Sequence, residues 1–491
     1  MKVPAAVIAD RSAGVVIASA AADALGGPYE FGPPIGADRT LAMTGGGGFG
    51  WGPGEWTDDT QMALALLSPL AAGNREAAAV EAGVMAWYSS RPRDVGNQTR
   101  AVLGAGAPLA ESAARYQLHN PNGAGNGGLM RIGPAALSFP GDAARIAGYA
   151  RSTTALTHPH LDCLVASVLW AVAIDHTIHN APASTEPWDF TDAIGAGLMH
   201  VPSERRERWA GLIDAACTQP ARDFDNNGWV VHAFQAALAT IVETPVPSGA
   251  APCRHLRMAI EAAVRLGGDT DTVAAIAGSL LGARWGLTAV PLSWRSVLHG
   301  KRVYGYPDLN ANDLETMARL AARGGDADKL GWPGVNHLIP YYERSWPSKP
   351  QVVELGGVAF GNISGLESAL TSGSDVIVSL CRMGTEDIPA RVEHLVIGLI
   401  DTDSGDNPNL PFLLADTADF IDTRTAEGRS VYVHCVRAEN RTPAVAATLL
   451  ARRKGREVDE ALRTVADTLG QRPRGFLVDA IREATSLGDT I

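Results

Sequence analysis

Gly267-Gly268-Asp269-Thr270-Asp271-Thr272, running directly into the apolar stretch Val273–Leu281, combines a glycine turn, an acidic helix start and a buried helix in one segment. Thr57-Asp58-Asp59-Thr60 stands in the same way before the apolar stretch Gln61–Leu70. Taken singly, either cluster reads as a cap, since a Thr or Asp oxygen at a helix start accepts an orphan backbone N–H. Capping requires neither two such clusters nor paired Asp and Thr in each, and it does not require the two glycines that let the chain turn sharply. Carboxylate and hydroxyl oxygens converging on one point repel one another unless a hard cation neutralises them. Oxygen-only donors suit Mg2+ or Mn2+ and not zinc.

Outward from these two starts, apolar residues recur at helical spacing between Gly and Pro breaks: Ser12–Leu25, Gln61–Leu70, Glu76–Trp87, Leu161–Ile178, Trp229–Thr240, His255–Leu266 and Thr272–Trp285. β-branched runs are scarce there, so residues 1–305 are expected to form an all-α domain. Residues 306–350, with Gly331-Trp332-Pro333-Gly334 and Trp346-Pro347, read as the tail of that domain and a linker. Over residues 351–491, short apolar runs at 375–380, 395–400 and 430–434 alternate with helical stretches such as Leu413–Thr423 and Thr442–Arg453. That pattern predicts an α/β domain.

At 491 residues the chain exceeds what one hydrophobic core usually serves. Hydrophobic residues at 46% and charged residues at 19% exclude a disordered or fibrous class. A net charge of −12 argues against a sequence-independent grip on phosphate backbones, so no stable nucleic-acid binding is expected. The five cysteines (Cys163, Cys217, Cys253, Cys381, Cys435) are scattered and lack paired metal-ligand spacing, which fits a reducing cytoplasm better than a disulfide framework. The N-terminus is unlike a secretory signal and no run of about 18 uncharged apolar residues occurs, so no membrane is expected as partner. Oligomeric state is left open.

Three further stretches accompany the two acidic helix starts: Asp23-Ala24-Leu25-Gly26-Gly27-Pro28-Tyr29-Glu30, Asn126-Gly127-Gly128-Leu129-Met130-Arg131 and Leu156-Thr157-His158. In this order, and spread over most of the first domain, the five resemble the ADP-ribosylglycohydrolase family, the dinitrogenase reductase activating type included. The resemblance implies that Thr57, Asp58, Asp59, Asp269, Asp271 and Thr272 hold two Mg2+ or Mn2+ ions that bind ribose hydroxyls. It implies catalytic work for Asp58, Asp59 and Asp271, with Glu30 as gating or proton-handling acid. Gly125, Asn126, Gly127, Gly128, Met130 and His158 would lie along the ADP-ribose, the glycines letting backbone amides approach its phosphates. Outside that resemblance, Glu30 is an ordinary loop carboxylate, the glycine loop a plain turn and His158 a satisfied structural histidine. Gly45–Gly54 has the permissive composition of a lid.

Val431-Tyr432-Val433-His434-Cys435 reads as a buried strand, and Arg441-Thr442 opens the helix after it. Cysteine, five residues and arginine at a strand-to-helix junction form a phosphate cradle, in which backbone N–H groups and the helix N-terminus favour both a thiolate and a phosphate. The segment resembles the dual-specificity branch of the protein tyrosine phosphatases. By that resemblance Cys435 attacks phosphorus, Arg441 clamps its oxygens and Asp403 is the general acid, with Asp401 and Asp406 as rivals. Two departures leave open whether the pocket cleaves phosphate or only holds it. Ala438 stands where glycine is usual, and Glu439 places a carboxylate beside an anion pocket.

The expected activity is metal-dependent hydrolysis of the N- or O-glycosidic bond to ADP-ribose, on a protein, nucleic-acid or small-molecule conjugate, with a phosphatase-like domain attached. The competing reading is a module that binds ADP-ribose and phosphate without turnover. The acceptor is not legible in the sequence.

Overall fold

The computed structural model describes residues 3–182, 187–402 and 404–488. Two compact units are present: unit 1 spans residues 1–246, 254–290 and 297–326, and unit 2 spans 247–253, 291–296 and 327–491.

Unit 1 is built around α1 (Ala5–Gly26) and a later helix of similar character. Both are apolar around their whole circumference and lie buried. The later core helix is α4 (Thr270–Trp285), and around the pair stand α2 (Asp58–Ala71), α3 (Leu161–Asn180) and α5 (Ala311–Ala321). The segments α1 with its following turn (Ala5–Tyr29) and α3 are long and apolar enough to cross a membrane by length and composition, and both are largely buried in this core.

Small residues let α1 and α4 nearly touch: a Cβ on Gly282 would stand 2.1 Å from the Gly14 carbonyl oxygen. That approach sets the C-terminal end of α1, carrying Asp23, beside the N-terminal end of α4, carrying Asp271. The turn before α4 takes the left-handed conformation that its glycines permit, with φ of 80° at Gly267 and 70° at Gly268.

One expectation needs correcting. The first domain is not purely helical, because His299–Gly300 and Leu309–Asn310 pair as a short antiparallel ribbon. The segment 306–350, read as tail and linker, carries the tail of unit 1 as far as Asp326 and the start of unit 2 beyond it. Asn310 caps α5 in a reciprocal capping box with Asp313, and Leu314, Ala318 and Ala321 bury one face of that helix, so unit 1 continues to Asp326. From Ala327 the chain already belongs to unit 2, where Leu338 and Tyr342 join a buried cluster with Ile363, Leu366 and Ile377.

Unit 2 is a five-stranded sheet: β1 (Val352–Leu355), β2 (Val358–Asn362), β3 (Val376–Ser379), β4 (Glu393–Val396) and β5 (Val431–Cys435), in the order β1-β2-β5-β3-β4. β1 and β2 form an antiparallel hairpin, and the other pairings are parallel. The helices α6 (Leu410–Ala426), α7 (Arg441–Lys454), α8 (Val458–Leu469) and α9 (Phe476–Ser486) complete it. Central β5 is buried at every residue, as expected of a parallel strand covered on both faces, and it delivers Cys435 at its end. Residues 291–296 add to this core: the Leu292 side chain is buried in it and its N–H donates to Asp416 Oδ2 at 2.8 Å.

Candidate functional site

The two acidic helix starts and the end of α1 meet. One carboxylate oxygen from each of Asp23, Asp59 and Asp271 lies within 4.8 Å of the others, and Glu30, Asp269 and Asp271 form a second such group. Thr57 caps α2 as its sequence suggests, its Oγ1 accepting from the Asp59 N–H at 3.5 Å. Asp269, by contrast, makes no side-chain cap on α4. Its Oδ2 accepts instead from Asn126 Nδ2 at 2.7 Å. Asp59 Oδ2 accepts from the hydroxyls of Thr57 (3.3 Å) and Thr272 (3.2 Å), while its Oδ1 is buried with no hydrogen-bond partner. Glu30 Oε2 is buried and unpartnered too.

Burial holds Asp58, Asp59 and Asp271 well above the ordinary carboxylate range, reinforced most by Asp94, Asp23 and Glu30 respectively. Burial raises Asp269 as well, and pushes Glu30 up to about 9, with Asp269 the largest neighbouring charge. Such a cluster is costly for the metal-free protein and is matched by hard cations with oxygen ligands. The donors present therefore fit the divalent ions expected from the sequence.

Three residues of this site had no assigned role in the sequence reading. Asp23 is fully buried; its carboxylate accepts from the N–H groups of Thr57 and Thr60 and from the Thr60 hydroxyl at 2.6 Å, tying α1 to the start of α2. A carboxylate within the Ala-rich second half of α1 was the available signal. Asp94, raised to about 6 by burial first and Asp269 second, shares a hydrogen bond with Asp58. It sits in a Pro/Arg/Gly loop with no motif to mark it. Asn227 accepts from the Asp269 N–H at 3.0 Å and donates to the Gly267 carbonyl at 2.9 Å, fixing the glycine turn.

The glycine loop lies beside the cluster through Asn126, which orients Asp269. His158 packs against the loop: a Cβ on Gly127 would stand 2.9 Å from its Cε1. Arg131 donates to Thr157 Oγ1 at 2.7 Å, so that hydroxyl can donate to His158 Nδ1 at 2.8 Å. This leaves the ring proton on Nε2. Burial, aided by the charge of Arg131, lowers His158 to about 3 and keeps it neutral. Met130 is buried as well. Among the predicted substrate residues, then, His158 and Met130 pack within the protein and Asn126 grips a carboxylate.

The sequence model of the ADP-ribosylglycohydrolase family matches residues 4–329. The chain belongs to the ADP-ribosylglycohydrolase family. The matched region ends within a few residues of the end of unit 1 at Asp326. Relatives include the ADP-ribosyl-[dinitrogen reductase] glycohydrolase of Rhodospirillum rubrum, 29% identical over 60% of this chain and 91% of that protein. The ADP-ribosylarginine hydrolase Tri1 of Pseudomonas putida (strain GB-1) is 28% identical over 58% and 73%. A solved ADP-ribosylglycohydrolase-related protein complex is 27% identical with a TM-score of 0.50, covering 65% of this chain and 99% of that one.

In unit 2, outside the matched region, Cys435 ends β5 and the Ala438 N–H donates to its Sγ at 3.2 Å. Ala438 does not obstruct the loop: it adopts φ 57°, the left-handed turn for which glycine is preferred. We expect Ala438→Gly to raise stability by about 0.5–1 kcal/mol, the relieved strain exceeding the added freedom of the unfolded chain. Urea denaturation checks this, and a loss of stability would contradict it.

Glu439 is turned onto Arg437 at 2.7 Å, which offsets its charge beside the loop. The Arg441 guanidinium donates from Nη1 to the carbonyls of Leu380 (2.6 Å) and Leu399 (3.3 Å) and lies 3.7 Å from Asp401. Asp401 is thus an arginine partner, and Asp406 accepts from the Thr402 hydroxyl at 2.6 Å. Asp403, read as the general acid, lies outside the described residues. Beneath the loop, Ser379 Oγ bridges His434 Nε2 (2.8 Å) and His394 Nε2 (3.0 Å). Burial lowers the two imidazoles to about 3 and about 4, so both are neutral. Neither Ser379 nor His394 carried a sequence signal.

Proposed function

We propose that unit 1 hydrolyses the glycosidic bond between ADP-ribose and its acceptor, using two divalent ions, Mg2+ or Mn2+, held among Thr57, Asp58, Asp59, Asp269, Asp271 and Thr272. The observation that carries this reading is the convergence of buried, mutually repelling carboxylates from the starts of α2 and α4, with Asp59 Oδ1 left without a partner. When bound, such a pair of ions orients vicinal hydroxyls and makes a water nucleophilic near neutral pH.

The chain's own residues do the rest. Asp23 fixes the backbone of Thr57 and Thr60, and Asn126 and Asn227 fix Asp269, so the ligand oxygens are held before substrate arrives. Glu30, with an unpartnered oxygen and a pKa raised by burial, is suited to exchange a proton with the acceptor or the attacking water. Within Gly125–Gly128, the Gly125 N–H donates to Gln98 Oε1 at 3.3 Å and the Asn126 N–H to the Gly228 carbonyl at 3.2 Å, so the donors for the diphosphate are the amides of Gly127 and Gly128. A substrate-binding role for Met130 or His158 is then indirect, through the loop they pack against.

For unit 2 we propose a phosphate pocket formed by the 435–441 loop, in which Cys435 either attacks phosphorus or only lines the anion site. The amide directed at its sulfur favours a nucleophilic role.

One experiment addresses both units: a panel of defined ADP-ribosyl conjugates, Arg-linked, Ser-linked and phosphorylated at the ribose, assayed with and without Mg2+ while ADP-ribose and phosphate are followed in parallel. Expected are Mg2+-dependent ADP-ribose release from at least one conjugate, and phosphate release that disappears in Cys435→Ser. Tight ADP-ribose binding with no release from any conjugate would favour the binding-module reading. Phosphate release unchanged by Cys435→Ser would remove the phosphatase assignment.

A further inference from the structure

A cavity of about 310 Å³ lies between α2 and the helix Ala77–Ser89, with Arg302, Val303 and Tyr306 along one side. That volume falls at the lower end of the roughly 300–1,000 Å³ range of small-molecule sites. The space follows from how the two helices pair. Gly83 brings them so close that a Cβ there would stand 3.2 Å from Ala65 Cβ, while Ala79 and Ala86, a turn to either side on the same face, are too short to fill the gap. All of the lining belongs to unit 1, and none of it to the carboxylate cluster.

Two features of the lining point to a ligand. Gln61 is 1% exposed; its Oε1 accepts from Trp87 Nε1 at 2.7 Å, which fixes the amide, and its Nε2 is buried with no hydrogen-bond partner among the described residues. A buried donor left unpaired is costly, and walls built from Leu64, Ala65, Ala79, Ala86 and Val303 give a water there few further partners. At the mouth, Arg302 is exposed and has no ion pair among the described residues, in a chain whose net charge is −12. Its neighbour Lys301, by contrast, is paired with Asp308. Lys301 Nζ also donates to the Tyr306 carbonyl at 3.0 Å, so the backbone of Tyr306 is held while its side chain, like the rest of the residue, stays largely exposed.

We propose that this cavity binds a small carboxylic acid: an apolar body between the two helices, a carbonyl oxygen at its inner end accepting from Gln61 Nε2, and a carboxylate at its outer end paired with Arg302 beside Tyr306. Each part of that chemistry is needed. A wholly apolar ligand leaves the Gln61 donor unpaired, and a compact anion such as phosphate meets one cation and gains nothing from the apolar walls. The site stands independently of the hydrolase reading of unit 1. It touches α2 in its first turn, where the Gln61 N–H donates to the Thr57 carbonyl at 3.2 Å, so an occupant rests on the helix that presents Asp58 and Asp59.

The test titrates the full chain calorimetrically with 3-(4-acetylphenyl)propanoate, which carries all three parts, and with 3-(4-ethylphenyl)propanoate, which lacks only the inner oxygen. The wild type is expected to bind the acetyl compound one to one and the ethyl compound at least about fivefold more weakly. Arg302→Gln should weaken both compounds at least about fivefold, and Ala86→Phe, which fills the gap between the helices, should abolish binding, with thermal unfolding used to verify that both variants keep the fold. Absence of wild-type binding at millimolar probe overturns the site, as do equal affinities for the two compounds and binding that survives Ala86→Phe in a folded protein. If Ala86→Phe fails to fold, the exposed substitution Arg302→Gln decides: unchanged affinity for the acetyl compound overturns the proposal.

Discussion

Asp271→Asn is expected to lower ADP-ribose release by about a thousandfold or more, and to make the metal-free protein more stable than wild type. The two effects have one cause. Asp271 is 1% exposed, and burial together with Glu30, Asp59, Asp269 and Asp23 disfavours its charge. An asparagine keeps the shape and can still accept from the Thr272 N–H, a bond of 2.9 Å in the native protein, but it contributes no negative charge to the cluster. It relieves repulsion in the absence of metal and weakens cation binding when metal is present. A gain of about 1 kcal/mol, or roughly 2–4 °C in Tm, is expected for the metal-free variant. The wild type should be stabilised by Mg2+ and the variant should respond weakly. A variant that keeps the wild-type rate would defeat the metal assignment, and one less stable than metal-free wild type would show that Asp271 is a structural residue.

The opposition between stability and function explains what the sequence could and could not disclose. Thr57-Asp58-Asp59-Thr60 and Gly267–Thr272 were legible because a helix start imposes a local grammar of caps and turns, and residues in excess of that grammar stand out. Asp269 is the clearest instance: it occupies the cap position and yet turns its carboxylate to Asn126. Asp94 and Asn227 were silent, since both belong to loops whose only function is set by what lies across space, Asp58 for one and Asp269 for the other. Asp23 had a faint signal in the cost of burying a carboxylate inside an apolar helix.

In the second half, buried β5 and the spacing of Cys435 to Arg441 were readable, whereas the hairpin of β1 and β2 was not, because Val352–Leu355 alternates only weakly and lies at the sheet edge. The tail of unit 1 within 306–350 has its own local signal. Asn310 and Asp313 form the capping pair of α5, and the Leu314, Ala318, Ala321 spacing marks its buried face.

Removing the metal should also steepen the pH dependence of unit 1. Asp23 and Asp94 are raised to about 6 and Glu30 to about 9, and Asp58, Asp59 and Asp271 lie well above the usual range. Carboxyls raised on folding keep protons that the unfolded chain has already released. Their stabilisation is complete below the ordinary carboxylate pKa of about 4 and is lost as pH climbs through the folded values. For Asp23 and Asp94 the loss falls between about 4 and 6, and for Glu30 it continues toward about 9. Divalent ions bind the deprotonated cluster, so their stabilising effect grows over the same interval. In chelator, Tm of the unit 1 transition should fall steadily from pH 5 to pH 8.5. With about 10 mM Mg2+ the fall should flatten, the gap between the curves widening from ~2 °C or less at the acid end to ~5 °C or more at the alkaline end. Asp10, buried against Thr288 and also raised to about 6, contributes the same slope with or without metal, so the difference between the curves is the diagnostic quantity. A gap that does not change with pH, or a metal-free curve that rises through this range, would mean that the carboxylates of α1, α2 and α4 are neither protonated together nor neutralised by a shared cation.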